Sequence, residues 1–273
     1  MKLNYQDTQA KDTAATETKA TTTTSNTDIP VILMHGMFGS LSNLGVLARP
    51  LTEAGYRVIS VDLRNHGLSP HEHDMSYAHM AADIVELLDD LQLSKAYLLG
   101  HSMGGKVGMQ VAMNYPDRVA KLIVADISPV TYSVDRHGGI LEGLRVLAAN
   151  KLTSRQHADQ LLAEYEADKG VRAFLLKNLY RKDEGHFGLR LNLDSVIANY
   201  CDVLTQAPTG NPFEGETLFL KGENSAYIQE KHRDEVMRLF PEVQLKVIAD
   251  TGHWLHAEKP EMVSRQVLSF LNS

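Results

Sequence analysis

The chain has 273 residues, of which 43% are hydrophobic, so it can bury a sizeable core and fits one domain of ordinary to large size. The formal net charge of −7 argues against a nucleic-acid-binding protein, because nucleic-acid-binding surfaces carry basic patches. The single cysteine, Cys201, excludes an internal disulfide framework, and the lack of a membrane-length apolar run or an N-terminal signal core leads us to expect a cytoplasmic protein without stable membrane insertion.

The first thirty residues combine a candidate strand with a long segment of small and polar residues. Residues 1–5 alternate apolar and polar side chains, as a half-buried strand does. Residues 7–28 are dominated by Thr, Ala, Lys and Glu and have nothing to bury. This composition predicts a disordered or extended loop, to which we attach no function.

Continuous apolar runs then alternate with amphipathic segments. The predicted strands are residues 30–34, 57–63, 95–100 and 122–125, and the predicted helices are residues 42–54, 76–91 and 104–115. Strands without polar alternation, separated by helices, are typical of a parallel sheet that is covered on both faces.

The alternation is interrupted from about residue 128 to residue 212, where the apolar spacing is helical. Two strands (216–220 and 244–248) and two helices (227–240 and 258–271) are predicted after it. We therefore predict an α/β core formed by residues 1–127 and 213–273, and a helical cap of residues 128–212 that is inserted above the sheet.

The sequence Gly-His-Ser-Met-Gly-Gly at residues 100–105 follows the strand that starts at residue 95. Gly-x-Ser-x-Gly between a strand and a helix is typical of a nucleophile elbow, a tight turn that presents a serine above the sheet. Gly100 and Gly104 supply residues without bulk on both sides of Ser102. The alternative is an ordinary strand–helix turn, because this short motif also recurs by chance.

Two further polar residues follow predicted strands at the edge of the sheet where ligands bind in parallel α/β folds. Asp126 follows strand 122–125, and His253 follows the last strand. With Ser102 they give the chain order Ser, acid, His, which is that of α/β-hydrolase triads. His253 would accept the proton of the serine hydroxyl, and Asp126 would orient the imidazole. The alternatives are a turn cap for Asp126 and a structural role for His253.

Several motifs resemble the α/β-hydrolase superfamily and, more narrowly, the small bacterial YbfF-type esterases. They are His35-Gly36 and residues 62–69, 100–105, 126–130, 222–225 and 252–260. The similarity extends over most of the chain from Ile29 onward. The resemblance implies an α/β-hydrolase fold with a mostly parallel eight-stranded sheet, helices on both faces and a helical cap inserted after the sixth strand.

The triad acid has two candidate positions. Many α/β-hydrolases carry it three residues past a glycine on the strand after the cap, and here Ser225 stands at that position relative to Gly222. The YbfF-type pattern places the acid one strand earlier, at Asp126, which could still reach the imidazole because adjacent strands lie only about 4.8 Å apart. Glu223 is the rival acid. We place Ser225 with the substrate-binding residues, with a bond to the triad or a turn cap as alternatives.

An oxyanion hole requires two N–H donors. The N–H of Met103, at the start of the helix after Ser102, is one candidate. The second is expected from the loop after residues 35–36, at Met37, with the N–H of Phe38 as the alternative. The side chain of Phe38 is also predicted to bind substrate, which is compatible with core packing.

A cluster of histidines invites a metal hypothesis. His66, His71 and His73 lie close to Asp74, and the spacing of the last two histidines could chelate an ion. No rigid element or supporting partner is visible in this segment, so we interpret it as a solvated loop and predict neither a metal nor a cofactor.

Together these residues predict a serine esterase that forms an acyl-enzyme from a small-molecule carboxylic ester, with acyl thioesters as a second substrate class. Tyr132, Arg136 and His137, early in the predicted cap, are candidates to face the substrate. One alternative is a C–C bond hydrolase or a MenH-like lyase, which keeps the triad, and another is a non-catalytic binding or receptor module. The acyl chain, the leaving group and the oligomeric state are not predicted.

Overall fold

Seven strands form one sheet in the computed structural model, which describes residues 1–10, 29–133, 137–182 and 185–273. The nine strands of the described residues, including two outside this sheet, are β1 (Tyr5–Thr8), β2 (Val31–Met34), β3 (Val58–Val61), β4 (Ala96–His101), β5 (Val119–Ala125), β6 (Leu179–Arg181), β7 (Phe187–Leu189), β8 (Thr217–Gly222) and β9 (Val243–Ile248). The sheet order is β1-β3-β2-β4-β5-β8-β9, and its neighbours are parallel except β1, which is antiparallel to β3. β6 and β7 form a separate antiparallel pair.

The central strands lie where the continuous apolar runs predicted them, and every residue of β2, β3 and β4 is buried. Parallel pairing places Met34 beside Gly100, and Gly100 beside Val124. The carboxyl ends of β2, β4 and β5 therefore meet at one edge of the sheet. The turns that carry the candidate site residues begin next to one another there.

Helices cover both faces of the sheet, as predicted. They are α1 (Gly45–Glu53), α2 (Tyr77–Asp90), α3 (Met103–Asn114), α4 (Gly138–Ala149), α5 (Arg155–Leu162), α6 (Lys169–Leu175), α7 (Leu193–Asn199), α8 (Arg233–Leu239), α9 (Leu255–Glu258) and α10 (Pro260–Leu271). Met80 of α2 and Val107 of α3 belong to one apolar core, and Leu47 of α1 and Val267 of α10 belong to a second. In the part of the chain that the structure describes, none of these helices has the length and apolar character to cross a membrane.

The predicted strand count was wrong for the described residues. The main sheet has seven strands rather than eight, and five of them, not six, precede the insertion. The first strand is β1 and not residues 1–5, so Asp7 and Thr8 pair with β3 instead of belonging to the predicted loop. Most of β1 is exposed, which explains why its sequence lacks an inward-facing apolar pattern. Residues 11–28 of the predicted loop lie outside the described residues.

We call residues 128–212, which lie between β5 and β8 and match the predicted cap, the inserted segment. It contains α4 to α7, in line with its helical spacing, and also the β6–β7 pair, which the spacing did not predict. Asn178 donates from Nδ2 to the backbone oxygen of Phe38 at 2.7 Å, and Asn192 donates from its N–H to the oxygen of Asn65 at 2.9 Å. The inserted segment thus lies against the loops that follow β2 and β3.

Candidate active site

Ser102 lies in a strained turn between β4 and α3. Its φ of 53° is in the left-handed region that residues other than glycine rarely adopt. The turn is tight, because a Cβ on Gly100 would come within 2.1 Å of Gly104 O, and one on Gly104 within 2.3 Å of Met34 O. The Ser102 N–H donates to Ala125 O at 3.0 Å, which ties the turn to the end of β5. Both glycines are therefore required for the backbone to hold the serine at the tip of the turn.

Asp126 lies in a second left-handed turn, at the end of β5, with a φ of 54° and a fully buried side chain. Its Oδ1 accepts a hydrogen bond from Gly222 N–H at 3.0 Å. Its Oδ2 accepts one from the Ser225 hydroxyl and another from His253 Nδ1, at 2.8 Å. The structure therefore brings Asp126, Ser225 and His253 together and satisfies both carboxylate oxygens.

The rival acid, Glu223, is at the surface. Its Oε2 accepts a hydrogen bond from the N–H of Asp250 at 2.8 Å. Glu223 therefore braces the turn after β9, whereas Asp126 contacts the imidazole.

Three aromatic rings hold His253. The His101 Nε2–H donates to the backbone oxygen of His253 at 2.8 Å, and burial lowers the pKa of His101, so this neighbouring imidazole is neutral at pH 7. The ring of Tyr227 stacks on the His253 ring, with 4.0 Å between centroids and 25° between planes. Trp254 contacts the same imidazole edge-on. These contacts fix the orientation that the bond to Asp126 selects.

Two buried histidines fix the loop after β2. His35 Nε2 accepts from Leu63 N–H at 3.0 Å, and His66 Nε2 accepts from Phe38 N–H at 3.3 Å. Burial lowers the pKa of His35 to about 4 and that of His66 to about 3, so both rings are neutral acceptors at pH 7. The Phe38 N–H is thus engaged inside the loop, and Met37 N–H is the other donor that the sequence proposed.

The interpretation of the histidine cluster as a solvated loop was wrong for His66. Its ring is fully buried, and its Nδ1–H donates to Arg64 O at 2.9 Å, whereas His71 and His73 are exposed. Among the described residues, no group of three or more His, Cys, Asp and Glu side chains is arranged to hold a metal ion. His66 therefore stabilises the loop after β2.

Two cavities meet at Ser102. One, of about 330 Å³, is called the wide cavity, and its walls include Phe38, Ile140, Phe174, Leu175, His253 and Trp254. The other, of about 40 Å³, is called the narrow pocket, and its walls include Tyr77, Met103, Lys106, Ile127, Tyr132 and Leu204. Both are lined in addition by Met37, Ser102, His137 and Tyr227. The serine is therefore accessible from two sides of different size.

Sequence reasoning did not single out Lys106 or Tyr227. Lys106 is the one charged residue of α3, and a charge in a helix of Gly, Val, Met and Ala was the available signal. Nothing in the sequence around Tyr227 indicates that its ring reaches His253. Of the three residues suggested to face the substrate, Tyr132 and His137 line the narrow pocket, and Arg136 lies outside the described residues.

Comparisons with known proteins agree on the type of fold. The sequence model of the family described as "alpha/beta hydrolase fold" matches residues 29–260. The chain is 40% identical over 245 residues to the esterase YbfF of Escherichia coli (strain K12), covering 89% of this chain and 93% of the esterase. It is 40% identical over 247 residues to the sn-1-specific diacylglycerol lipase ABHD11 of Mus musculus, covering 88% of this chain and 80% of the lipase. A solved structure of a marine microorganism esterase superposes with a TM-score of 0.87 at 34% identity, covering 98% of this chain and 99% of that one.

Proposed function

The chain belongs to the α/β-hydrolase family and is a carboxylic ester hydrolase, and we propose that it cleaves its ester through an acyl-enzyme formed on Ser102. The observation that carries the proposal is the 2.8 Å hydrogen bond between Asp126 Oδ2 and His253 Nδ1, beside a cavity that Ser102 and His253 line together. A carboxylate on Nδ1 selects the tautomer whose Nε2 accepts a proton.

The reaction then has two halves. Ser102 Oγ attacks the ester carbonyl while His253 Nε2 takes the hydroxyl proton, and the same proton passes to the leaving alkoxide as the C–O bond breaks. Water attacks the acyl-enzyme in the second half, gives its proton to His253 and releases the acid, and that proton returns to Ser102. Asp126 keeps its charge throughout and balances the transient imidazolium.

The oxyanion of each tetrahedral intermediate would be held by the backbone N–H groups of Met103 and Met37. Met103 is the first residue of α3, where N–H groups have no partner within the helix. Met37 lines both cavities beside Ser102. Two donors at this point would bind the charge that develops during attack and leave the neutral ester weakly held.

The two cavities support a division of the substrate. His253, which must protonate the leaving oxygen, lines the wide cavity, whereas Met103 lines the narrow pocket. We therefore place the leaving group in the wide cavity and the acyl chain in the narrow pocket. At about 40 Å³, that pocket has room for roughly three water-sized groups, which favours short acyl chains. The inserted segment supplies walls to both spaces and is proposed to act as the cap.

Ser225 is proposed to support Asp126 rather than to contact the substrate. Its hydroxyl donates to the Oδ2 atom that also accepts from His253. The bond restrains the carboxylate in the plane that the imidazole needs. Acyl thioesters would react by the same steps, and the cytoplasmic location and the lack of a cofactor stay predictions from the sequence.

Covalent labelling tests the proposal directly. A fluorophosphonate should label wild-type protein at Ser102, and p-nitrophenyl acetate should give a burst of p-nitrophenol followed by slower turnover. The Ser102→Ala variant should show neither signal, with a loss of kcat on the order of 10⁶. Full activity in Ser102→Ala would contradict an acyl-enzyme on Ser102, whereas a wild type that is neither labelled nor active would favour the binding module.

A further inference from the structure

Lys106 is a buried lysine on the helix that begins after Ser102. It is 1% exposed, one helical turn beyond the nucleophile, and its N–H donates to the oxygen of Ser102. Its Nζ donates to the backbone oxygens of Val130 at 2.9 Å, of Thr205 at 3.2 Å and of Gln206. An ammonium has three N–H donors, and here each of them has a carbonyl acceptor.

The three carbonyls belong to the two ends of the inserted segment. Val130 precedes α4, and Thr205 and Gln206 follow α7, so the helices of the segment lie between them in the chain. The ends also bond each other, because Tyr132 N–H donates to Thr205 O at 2.9 Å. Lys106 is therefore a direct link between α3 and both connections of the segment.

Aromatic rings enclose the same ammonium. The Nζ lies 4.8 Å from the centroid of Tyr132 and 5.6 Å from that of Tyr77, close enough for cation–π attraction. The Tyr77 hydroxyl donates to Leu204 O at 2.8 Å, which adds a second tie from α2 to the end of the segment. All these groups border the narrow pocket that opens at Ser102.

A buried lysine in this place lowers the stability of the fold. Burial lowers the pKa of Lys106 to about 7, because removal from water disfavours the charged form of the amine. An apolar side chain of similar length would fill the space without that cost, but the oxygens of Val130 and Gln206 would lose their ammonium donor, while Thr205 O keeps the N–H of Tyr132. The buried ammonium thus reduces the stability of the fold but fixes the position of the inserted segment.

We propose that Lys106 is a positioning residue that fastens both ends of the inserted segment to the nucleophile helix and thereby limits the length of the acyl chain in the narrow pocket. The proposal rests on the proposed function in one respect, namely that the acyl chain occupies this pocket. Without the three bonds, the walls formed by Tyr132 and Leu204 would separate from α3, and the pocket would lengthen.

Lys106→Met tests this, and Lys121→Met is a matched control. Lys121 is also a buried lysine that donates to a backbone oxygen, that of Phe270 at 3.0 Å, and its Nζ lies 5.1 Å from the ring centroid of Phe270. It ties β5 to the C-terminal helix and, through an ion pair with Glu216 at 3.1 Å, to the residue just before β8, which lies outside the inserted segment. Both variants remove a buried ammonium from a backbone oxygen, but Lys106→Met alone should alter substrate selection.

The measured quantity is the ratio of kcat/KM for p-nitrophenyl octanoate to that for p-nitrophenyl acetate. The ratio should rise roughly tenfold in Lys106→Met, the size of effect that one or two methylene groups have in a hydrophobic pocket. It should stay at the wild-type value in Lys121→Met. An unchanged ratio in Lys106→Met, or an equal rise in both variants, would overturn the proposal.

Hydrogen exchange supplies an independent measurement. The amide of Tyr132 should lose protection in Lys106→Met and keep it in Lys121→Met, and unchanged protection in both would contradict the link. Should Lys106→Met fail to fold, Lys106→Gln retains two N–H donors and should shift both readouts in the same direction by less. Fluorophosphonate labelling of the wild type separates the two proposals: a labelled serine with an unchanged ratio refutes only the role of Lys106.

Discussion

Ser102 and Asp126 occupy equivalent places at the ends of neighbouring strands, yet one turn leaves its side chain accessible and the other buries it. Both residues have left-handed backbones, with φ of 53° and 54°. Ser102 is half-buried and lines both cavities, whereas Asp126 is fully buried and uses both carboxylate oxygens in hydrogen bonds.

Backbone strain of this kind costs about 1–3 kcal/mol per residue, and the two turns use it to place their side chains differently. In the turn of Ser102 it holds the proposed nucleophile beside the two cavities. In the turn of Asp126 it directs a carboxylate into the protein, where attraction to an imidazolium is stronger because water is excluded. The following variants disturb one turn at a time.

Replacing Asp126 by Asn should have the largest effect among these variants. The amide keeps the shape of the side chain but favours the wrong imidazole tautomer and cannot balance its charge, so kcat should fall by about 10⁴-fold. Steady-state hydrolysis of p-nitrophenyl acetate measures the loss. Glu223→Gln is the control and should retain kcat, because Glu223 contacts the backbone of Asp250. The reverse result would make Glu223 the acid.

The surroundings of Ser102 can be disturbed by a substitution at Gly36, in the loop after β2. A Cβ at this position would lie 3.2 Å from Ser102 Cβ and 3.0 Å from His101 Nδ1, so Gly36→Val should push the loop and Met37 away from the serine. Loss of one oxyanion donor predicts a decrease in kcat of roughly 10²- to 10³-fold. Gly45→Ala, where a Cβ meets nothing within 4 Å, is the control. Equal kinetics for both variants would remove the loop from the oxyanion hole.

Substitution of Ser225 should lower kcat less than substitution of Asp126, because Ser225 only supports the carboxylate. Ser225→Ala removes one of the hydrogen bonds to the buried carboxylate, and a bond to a charged group predicts a decrease in kcat of roughly 10- to 100-fold with little change in KM. Ser225→Thr retains a hydroxyl and should recover most of the activity. A rise in KM alone would instead assign Ser225 to substrate binding.

The last prediction concerns stability against acid rather than catalysis. His35 and His256 have pKa values of about 4 and 3 because they are buried, whereas an unfolded histidine titrates near 6.5. Unfolding therefore takes up protons below pH 6.5, so this contribution to stability is complete above that pH and is lost as the pH falls toward 4. Each histidine should reduce the free energy of unfolding by about 1.4 kcal/mol per pH unit in this window.

Urea denaturation at pH 7, 6 and 5 measures the slope of stability against pH. His66, whose pKa burial lowers to about 3, belongs to the same group, so His66→Gln should flatten the slope. His71→Gln changes an exposed ring and should leave the slope as it is. A slope that depends on neither residue would mean that the buried imidazoles are not neutral in the folded protein.

The sequence predicted features that depend on local chemistry. Strands β2 to β5 were visible because parallel strands buried on both faces are continuously apolar. Ser102 was visible because a tight turn needs glycine on both sides. The chain position of Asp126 and His253, each after a strand, was sufficient to suggest that they lie near the serine, since parallel strands end at one edge.

Features that depend on distant packing were missed. His66 appeared solvated because its neighbours in sequence are polar, and its burial results from the loop after β2. A helix was predicted from residue 227, but α8 begins at Arg233, because residues 225–227 form the turn that brings Ser225 to Asp126 and Tyr227 to His253. The role of Lys106 depends on carbonyls far along the chain, which no local pattern can reveal.

The hydrogen bonds of Asp126 have a consequence for biosynthesis. Its partners, Gly222, Ser225 and His253, all follow the inserted segment in the chain. A nascent polypeptide that ends before β8 already contains Ser102 but has neither the proposed base nor the groups that orient the proposed acid. The growing chain on the ribosome therefore contains Ser102 without its proposed base, and the proposed reaction can begin only after β8 and the turn that carries His253 have been made and have folded against the rest.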